Sequence, residues 1–245
     1  MIYKKKGDIM NVILTKKPKN PIIIEGFPGF GLVSTIATEF LIDHLKTEKI
    51  GRVWIPHLPP MIAVHEGKVV EPIGIFYNKK YNLVFVHVVS AKRDIEWELA
   101  NAIFDIAKQL KAKEIISLEG IGSLKPSGKS RSFYFTTKKE SVAKLDKITT
   151  APLKEGIIMG LTGILMLKAS KETPVTALFA EAHSDIPDSK AAATVIDVLN
   201  NYLNLKIDVR PLIKQAEKFE AKLKQLFEQT ARMTQEQKKK LTYVG

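Results

Sequence analysis

Short apolar blocks alternate with polar punctuation along most of this chain, and the period of each block predicts its element. Ile22-Ile23-Ile24 reads as the end of a buried strand over 21–25. It stops at Glu25 and a loop containing Gly26, Pro28, Gly29 and Gly31. Apolar positions at Leu32, Ile36, Phe40, Leu41 and Leu45 then mark one face of a helix over 32–45. Val53-Trp54-Ile55-Pro56 leads into a rigid turn, His57-Leu58-Pro59-Pro60. Strands are predicted over 62–64 and 69–77, joined around Glu66-Gly67, with antiparallel pairing through this region. The β-branched run Leu83 to Val89 predicts a strand covered on both faces.

The same alternation continues. Asp94 is placed to cap a helix running to Leu110, whose apolar face is Ile95, Leu99, Ile103, Ile106 and Leu110. A buried strand over 114–119 ends in Gly120-Ile121-Gly122-Ser123, and a basic loop covers 125–131. A strand over 132–137 and a short helix over 141–146 follow. Ile157 to Ala169 is apolar all round, which predicts a fully buried helix. Strand 174–182 and helix 187–203, with proline at its start, complete the pattern. Strands alternating with helices predict one α/β domain over 1–207: three layers, a mainly parallel sheet with helices on both faces.

Beyond Pro211 the period changes. Leu212, Ala216, Phe219, Leu223, Leu226, Thr230 and Met233 recur at alternating spacings of four and three, a heptad seam flanked by Lys, Glu and Gln. So narrow a seam suits a helical partner, which predicts a self-associating C-terminal extension over 208–245.

Composition narrows the function classes. The net charge is +12, but only five of the 38 basic side chains are arginine, and the lysines are spread along the chain. That pattern fits a solvated, heat-adapted surface and argues against nucleic acid, whose recognition leans on arginine forks. No apolar run is of bilayer-spanning length, and no apolar signal core follows the lysines of Met1 to Lys6, so the expectation is a cytoplasmic protein without a membrane partner. The absence of cysteine removes disulfides and thiolate metal sites.

Three carboxylates end predicted strands: Glu25, Glu119 and Glu181. Ligand crevices of open α/β sheets lie at the carboxyl ends of strands, so these residues, with Gly26, Gly29, Gly31 and Gly120, outline a candidate crevice. An acid–base cluster and carboxylates that merely accept loop N–H bonds are both open readings. The glycine spacing G-x-x-G-x-G is not the dinucleotide fingerprint. Ser127-Gly128-Lys129-Ser130 imitates the end of a phosphate loop, but a strand-like segment follows it where the phosphate cradle needs a helix. The five histidines show no metal-ligand spacing, and no nucleophile elbow occurs. The expectation is no metal, no cofactor and no catalytic residue.

Glu25-Gly26-Phe27-Pro28-Gly29-Phe30-Gly31-Leu32-Val33 resembles the opening motif of the proteasome-assembly-chaperone family. Glu119 to Ser123, Glu155 to Gly163, and Glu181-Ala182-His183 with Pro187-Asp188 and Ala191-Ala192 agree in order. The resemblance covers about residues 20–205. It implies an α/β/α fold similar to nucleoside phosphorylases, and homo-oligomers, with a tetramer expected. It also implies an ATP-independent, non-enzymatic role in assembling or activating the proteasome, with α-subunits or the 20S particle as partners. The implied partner-binding residues are Phe219, Leu223, Leu226 and Phe227 on the helix, and Leu241, Tyr243, Val244 and Gly245 at the end. Docking tails of this kind end in hydrophobic-Tyr-X; here tyrosine stands one place early and Thr242 replaces the apolar residue. A tyrosine and a terminal carboxylate can still enter a lysine-bearing pocket. The alternative is a nucleoside- or sugar-processing hydrolase that uses the carboxylate crevice.

Overall fold

The structure is a computed structural model that describes residues 10–55, 62–65, 67–89, 95–122, 131–182 and 187–214. A nine-stranded sheet forms its centre, in the order β1-β3-β6-β7-β2-β8-β11-β9-β10. The strands are β1 (Asn11–Leu14), β2 (Ile22–Gly26), β3 (Glu48–Trp54), β6 (Ile73–Asn78), β7 (Leu83–Val88), β8 (Glu114–Gly122), β9 (Ser132–Thr136), β10 (Ala151–Pro152) and β11 (Val175–Ala182). A separate hairpin joins β4 (Ala63–His65) to β5 (Lys68–Val70).

The four central strands, β7-β2-β8-β11, run parallel. Antiparallel pairing flanks them: β1-β3-β6-β7 on one side and β11-β9 on the other. The expected parallel sheet is therefore its centre, and the whole is mixed. Parallel strands must be covered on both faces. Every residue of β7 and of β11 is buried, as their near-continuous apolar runs predict.

Helices α1 (Val33–His44) and α5 (Ser189–Leu203) pack together on one face, and α2 (Glu96–Leu110) and α4 (Gly160–Lys168) on the other. A short helix, α3 (Val142–Ile148), packs on α5. Strand alternation sorts the side chains. Ile23, Ile115 and Val175 join Val84 and Val86 in the core under α2 and α4, with Leu99, Ile103, Ile106, Leu161 and Leu165. Ile24, Phe85, Ile116 and Leu178 point to the opposite face and are equally buried.

Helix starts are set locally. A single 3-10 turn over Phe30–Leu32 precedes α1, and Gly31 sits there at φ 62. The chain crosses left-handed space at this point, where glycine is unstrained. Asp188 caps α5 by accepting the Ala191 N–H at 2.9 Å. The expected cap of α2, Asp94, lies outside the described residues.

The apolar stretch from Ile157 to Ala169 departs from its expected burial. Helix begins only at Gly160, and Ile157, Met159 and Leu167 are 89%, 79% and 78% exposed. One stripe, Leu161, Thr162, Ile164 and Leu165, is buried. Gly160 at φ 68 makes the sharp entry, and the chain before it folds back on the helix, with Ile158 O only 2.6 Å from where a Cβ on Gly163 would sit. Met166 and Ala169 are partly buried against the core, while Ile157, Met159 and Leu167 face outward. Strand β3 also begins earlier than the apolar signal at Val53, because its first residues, Glu48 and Lys49, are exposed and polar.

The chain divides into a unit ending at Ile207 and a second beginning at Asp208. Only residues 208–214 of the second are described. The seam from Ala216 onward, Phe219, Leu223, Leu226, Phe227, and Leu241, Tyr243, Val244 and Gly245 lie outside the described residues. So do His57, His183 and the 125–130 part of the basic loop.

Candidate functional site

The parallel strands bring two of the three predicted carboxylates together. Glu25 lies opposite Ser117 in the β2–β8 register, and Glu119 follows two residues along β8. All three side chains share the face covered by α4, where Ile23 and Ile115 also point. Glu25 is 1% exposed, while Glu119 is half-buried. Glu25 Oε2 accepts the Phe27 N–H at 3.0 Å, and Oε1 lies 2.5 Å from Ser117 Oγ. Ser117 Oγ lies 2.7 Å from Thr162 Oγ1 of α4, which in turn lies 2.7 Å from Glu119 Oε1.

Burial, and then the neighbouring Glu119 carboxylate, push Glu25 up to about 8. Burial pushes Glu119 up to about 7. These are coupled groups that titrate as a pair.

The glycine loop is shaped to these strands. A Cβ on Gly29 would come within 2.8 Å of Glu119 Oε2, and one on Gly120 within 2.2 Å of Phe30 O. The loop thus lies directly on the end of β8. Gly26 abuts the Thr38 side chain of α1 in the same way, and Gly31 O accepts the Asp188 N–H at 2.9 Å, tying the loop to the cap of α5.

Glu181 is held differently. Arg131 Nε and Nη2 donate to its two oxygens at 3.0 and 2.5 Å, a bidentate fork. Its described partner is this arginine, and not the Ser117–Thr162 pair.

Sequence reading missed four polar residues that organise the interior. Ser117 and Thr162 link the carboxyl pair; each is a lone hydroxyl inside an apolar run, and that interruption was the available signal. His87, on the opposite face, has Nδ1 2.8 Å from Thr38 Oγ1, and burial holds it down at about 4, so the ring is neutral near pH 7. Glu114, 1% exposed, accepts Thr176 and Tyr202 hydroxyls at 2.6 and 2.8 Å and pairs with Lys138 at 2.5 Å. Tyr202 also meets Ser141 at 2.6 Å.

A cleft of about 490 Å³ lies between α4, the 153–158 segment and Phe135 of β9 and is mainly apolar, with Leu153, Ile158, Ile164 and Leu167 also in its wall. None of the three carboxylates lines it. Among the described residues no group of histidine and acidic side chains could hold a metal ion, and no helix is long and apolar enough to cross a membrane.

The family profile described as PAC2 matches residues 23–227, most of the chain and all of the carboxylate site. This chain belongs to the PAC2 family. The uncharacterized protein MJ0106 of Methanocaldococcus jannaschii is 30% identical over 222 residues, covering 90% of this chain and 91% of that one. Pyrococcus furiosus PbaA, an archaeal homolog of proteasome-assembly chaperone, is 33% identical with a TM-score of 0.79, covering 90% of this chain and 97% of PbaA. P. furiosus PbaB, an archaeal proteasome activator, shares the fold at 24% identity and a TM-score of 0.76, covering 89% of this chain and 99% of PbaB. Length and the heptad pattern after Pro211 make PbaB the expected counterpart; of these two Pyrococcus proteins, identity favours PbaA.

Proposed function

We propose that this PAC2 protein is an ATP-independent proteasome assembly chaperone or activator, working as a homo-oligomer and binding α-subunits or the 20S particle through residues 208–245. The observation that carries the reading is the 33% identity to PbaA over nearly the whole chain. In this reading the α/β unit builds the oligomer core. Phe219, Leu223, Leu226 and Phe227 supply apolar contact along the helical seam, and Leu241, Tyr243, Val244 and Gly245 engage the particle. The charged centre of the α/β unit fits a structural role: Glu25 and Glu119 are bonded to Phe27, Ser117 and Thr162, and Glu181 to Arg131.

The test is co-purification of the full chain, and of chains stopped at Lys240 and at Lys214, with isolated α-subunits and with 20S particles. The reading expects binding by the full chain, weaker binding when 241–245 are removed, and none when 215–245 are removed. Equal binding by all three would move the contact to the α/β unit.

A further inference from the structure

Glu25 Oε1, Ser117 Oγ, Thr162 Oγ1 and Glu119 Oε1 form one unbranched run of oxygens, separated successively by 2.5, 2.7 and 2.7 Å. Each contact is of hydrogen-bond length and needs one hydrogen between its oxygens. A serine or threonine hydroxyl supplies one hydrogen; an ionised carboxylate supplies none. With both glutamates charged, two hydrogens would have to serve three contacts. One pair of oxygens would then face each other lone pair to lone pair in the protein interior, where such a mismatch is costly. Among these four groups the third hydrogen can come only from a carboxyl at one end.

We infer that Glu25 and Glu119 hold a single proton between them through Ser117 and Thr162, and that this proton latches the first turn of α4 to the ends of β2 and β8. Two arrangements satisfy the count. In one, Glu119 is protonated and donates to Thr162, Thr162 donates to Ser117, and Ser117 donates to an ionised Glu25. In the other, every donor along the run is reversed. Burial of Glu25 favours the second, because it opposes charge there more than the Phe27 N–H on Oε2 supports it, and leaves the charge at the half-buried Glu119. Passing each of the three hydrogens from its donor oxygen to its acceptor oxygen converts one arrangement into the other, so the negative charge moves between the buried end and the half-buried end beside Gly29 without a change in net charge.

The surroundings keep the pair at one charge instead of two. The described loop over Phe27–Leu32 carries no ionisable side chain, and α4 carries only Lys168, in its last turn. On α2 the charged residues are Glu96, Glu98, Asp105 and Lys108, all off the buried stripe. On β11, Glu181 is engaged by Arg131; on β7, His87 points to the other face and meets Thr38. No described cation is in hydrogen-bond contact with Glu25 or Glu119, so among the described residues none offsets a second negative charge. The elevated titration of both groups agrees with this count.

Thr162 is fully buried in the first turn of α4, directly after the exposed Ile157 and Met159. Loss of the proton would therefore loosen the wall of the apolar cleft first. The test uses the full chain with 13C-labelled glutamate, following side-chain carboxyl signals and the amide exchange of residues 161–165 from pH 4 to 9. The inference expects one carboxyl to titrate at or above about pH 7. Crossing that point should speed α4 exchange beyond what hydroxide catalysis alone gives. In Glu119→Gln the amide supplies the third hydrogen at every pH, so the extra acceleration should vanish and Glu25 should titrate lower than in the parent chain. Two carboxyls both titrating below pH 5 in the parent chain would overturn the inference, as would unchanged pH-dependent release in Glu119→Gln. If that variant does not fold, the titration of the parent chain decides alone.

Discussion

Replacing Tyr202 with phenylalanine removes one oxygen from the shell of a buried, ion-paired carboxylate, Glu114. That oxygen donates to Glu114 at 2.8 Å and lies 2.6 Å from Ser141, and the residue is 7% exposed. Glu114 keeps Thr176 and Lys138, so its charge is not orphaned. A hydrogen bond to a charged group contributes about 1.5–3 kcal/mol, and phenylalanine fills the same space without the hydroxyl, so Tyr202→Phe should cost about 2 kcal/mol. For a chain of this size that is a fall of roughly 4–8 °C in the thermal midpoint. Urea denaturation at pH 7 and fixed protein concentration should show a lower midpoint with an unchanged slope. In a Glu114→Gln background the same substitution should cost about 1 kcal/mol less, because the charge that strengthened the bond is gone. A loss below about 0.5 kcal/mol in the parent background, the level of an ordinary surface change, would refute the reasoning.

Other expectations follow from the same interior. Glu25 and Glu119 titrate higher in the folded chain than in the unfolded one, so their contribution is full below the ordinary carboxylate range and is lost as pH rises toward about 8. His87 acts oppositely: held at about 4, its contribution is present above about 6.5 and lost as pH falls through about 4. Between pH 6.5 and 8 the carboxyl effect therefore stands without opposition from His87, and the unfolding free energy from urea denaturation should fall by up to about 1.4 kcal/mol per pH unit for one proton; a flat profile there contradicts it. Gly120→Ala drives a methyl into Phe30 O and should destabilise by about 1–3 kcal/mol, measured by urea denaturation. On α4, Leu165→Ala should cost about 2–5 kcal/mol and Leu167→Ala under about 0.5 kcal/mol, since the first is fully buried and the second 78% exposed.

The legible parts of the fold are those in which one period dominates. The central parallel strands are near-continuous apolar runs, and α2 and α5 carry clear helical stripes, so their ends are placed within a few residues. The first residues of β3 were not legible, because Glu48 and Lys49 are exposed and signal no burial. The apolar stretch around α4 misled in the other direction: hydrophobicity does not say which residues find a partner within the chain. Strand-end position was enough to bring Glu25, Glu119 and Glu181 to one edge of the sheet. It could not separate Glu181, whose partner Arg131 lies 50 residues away in sequence. Nor could it supply Ser117 and Thr162, which matter only once β8 and α4 face each other.

The measurement that bears most directly on the proposed role is whether the full chain binds proteasome α-subunits at all. Immobilised full-length protein should capture purified α-subunits or 20S particles without ATP, and the chain stopped at Lys214 should not. Absence of binding by the full chain, with the same 20S particles responding to the archaeal proteasome activator PbaB run alongside, would contradict the account.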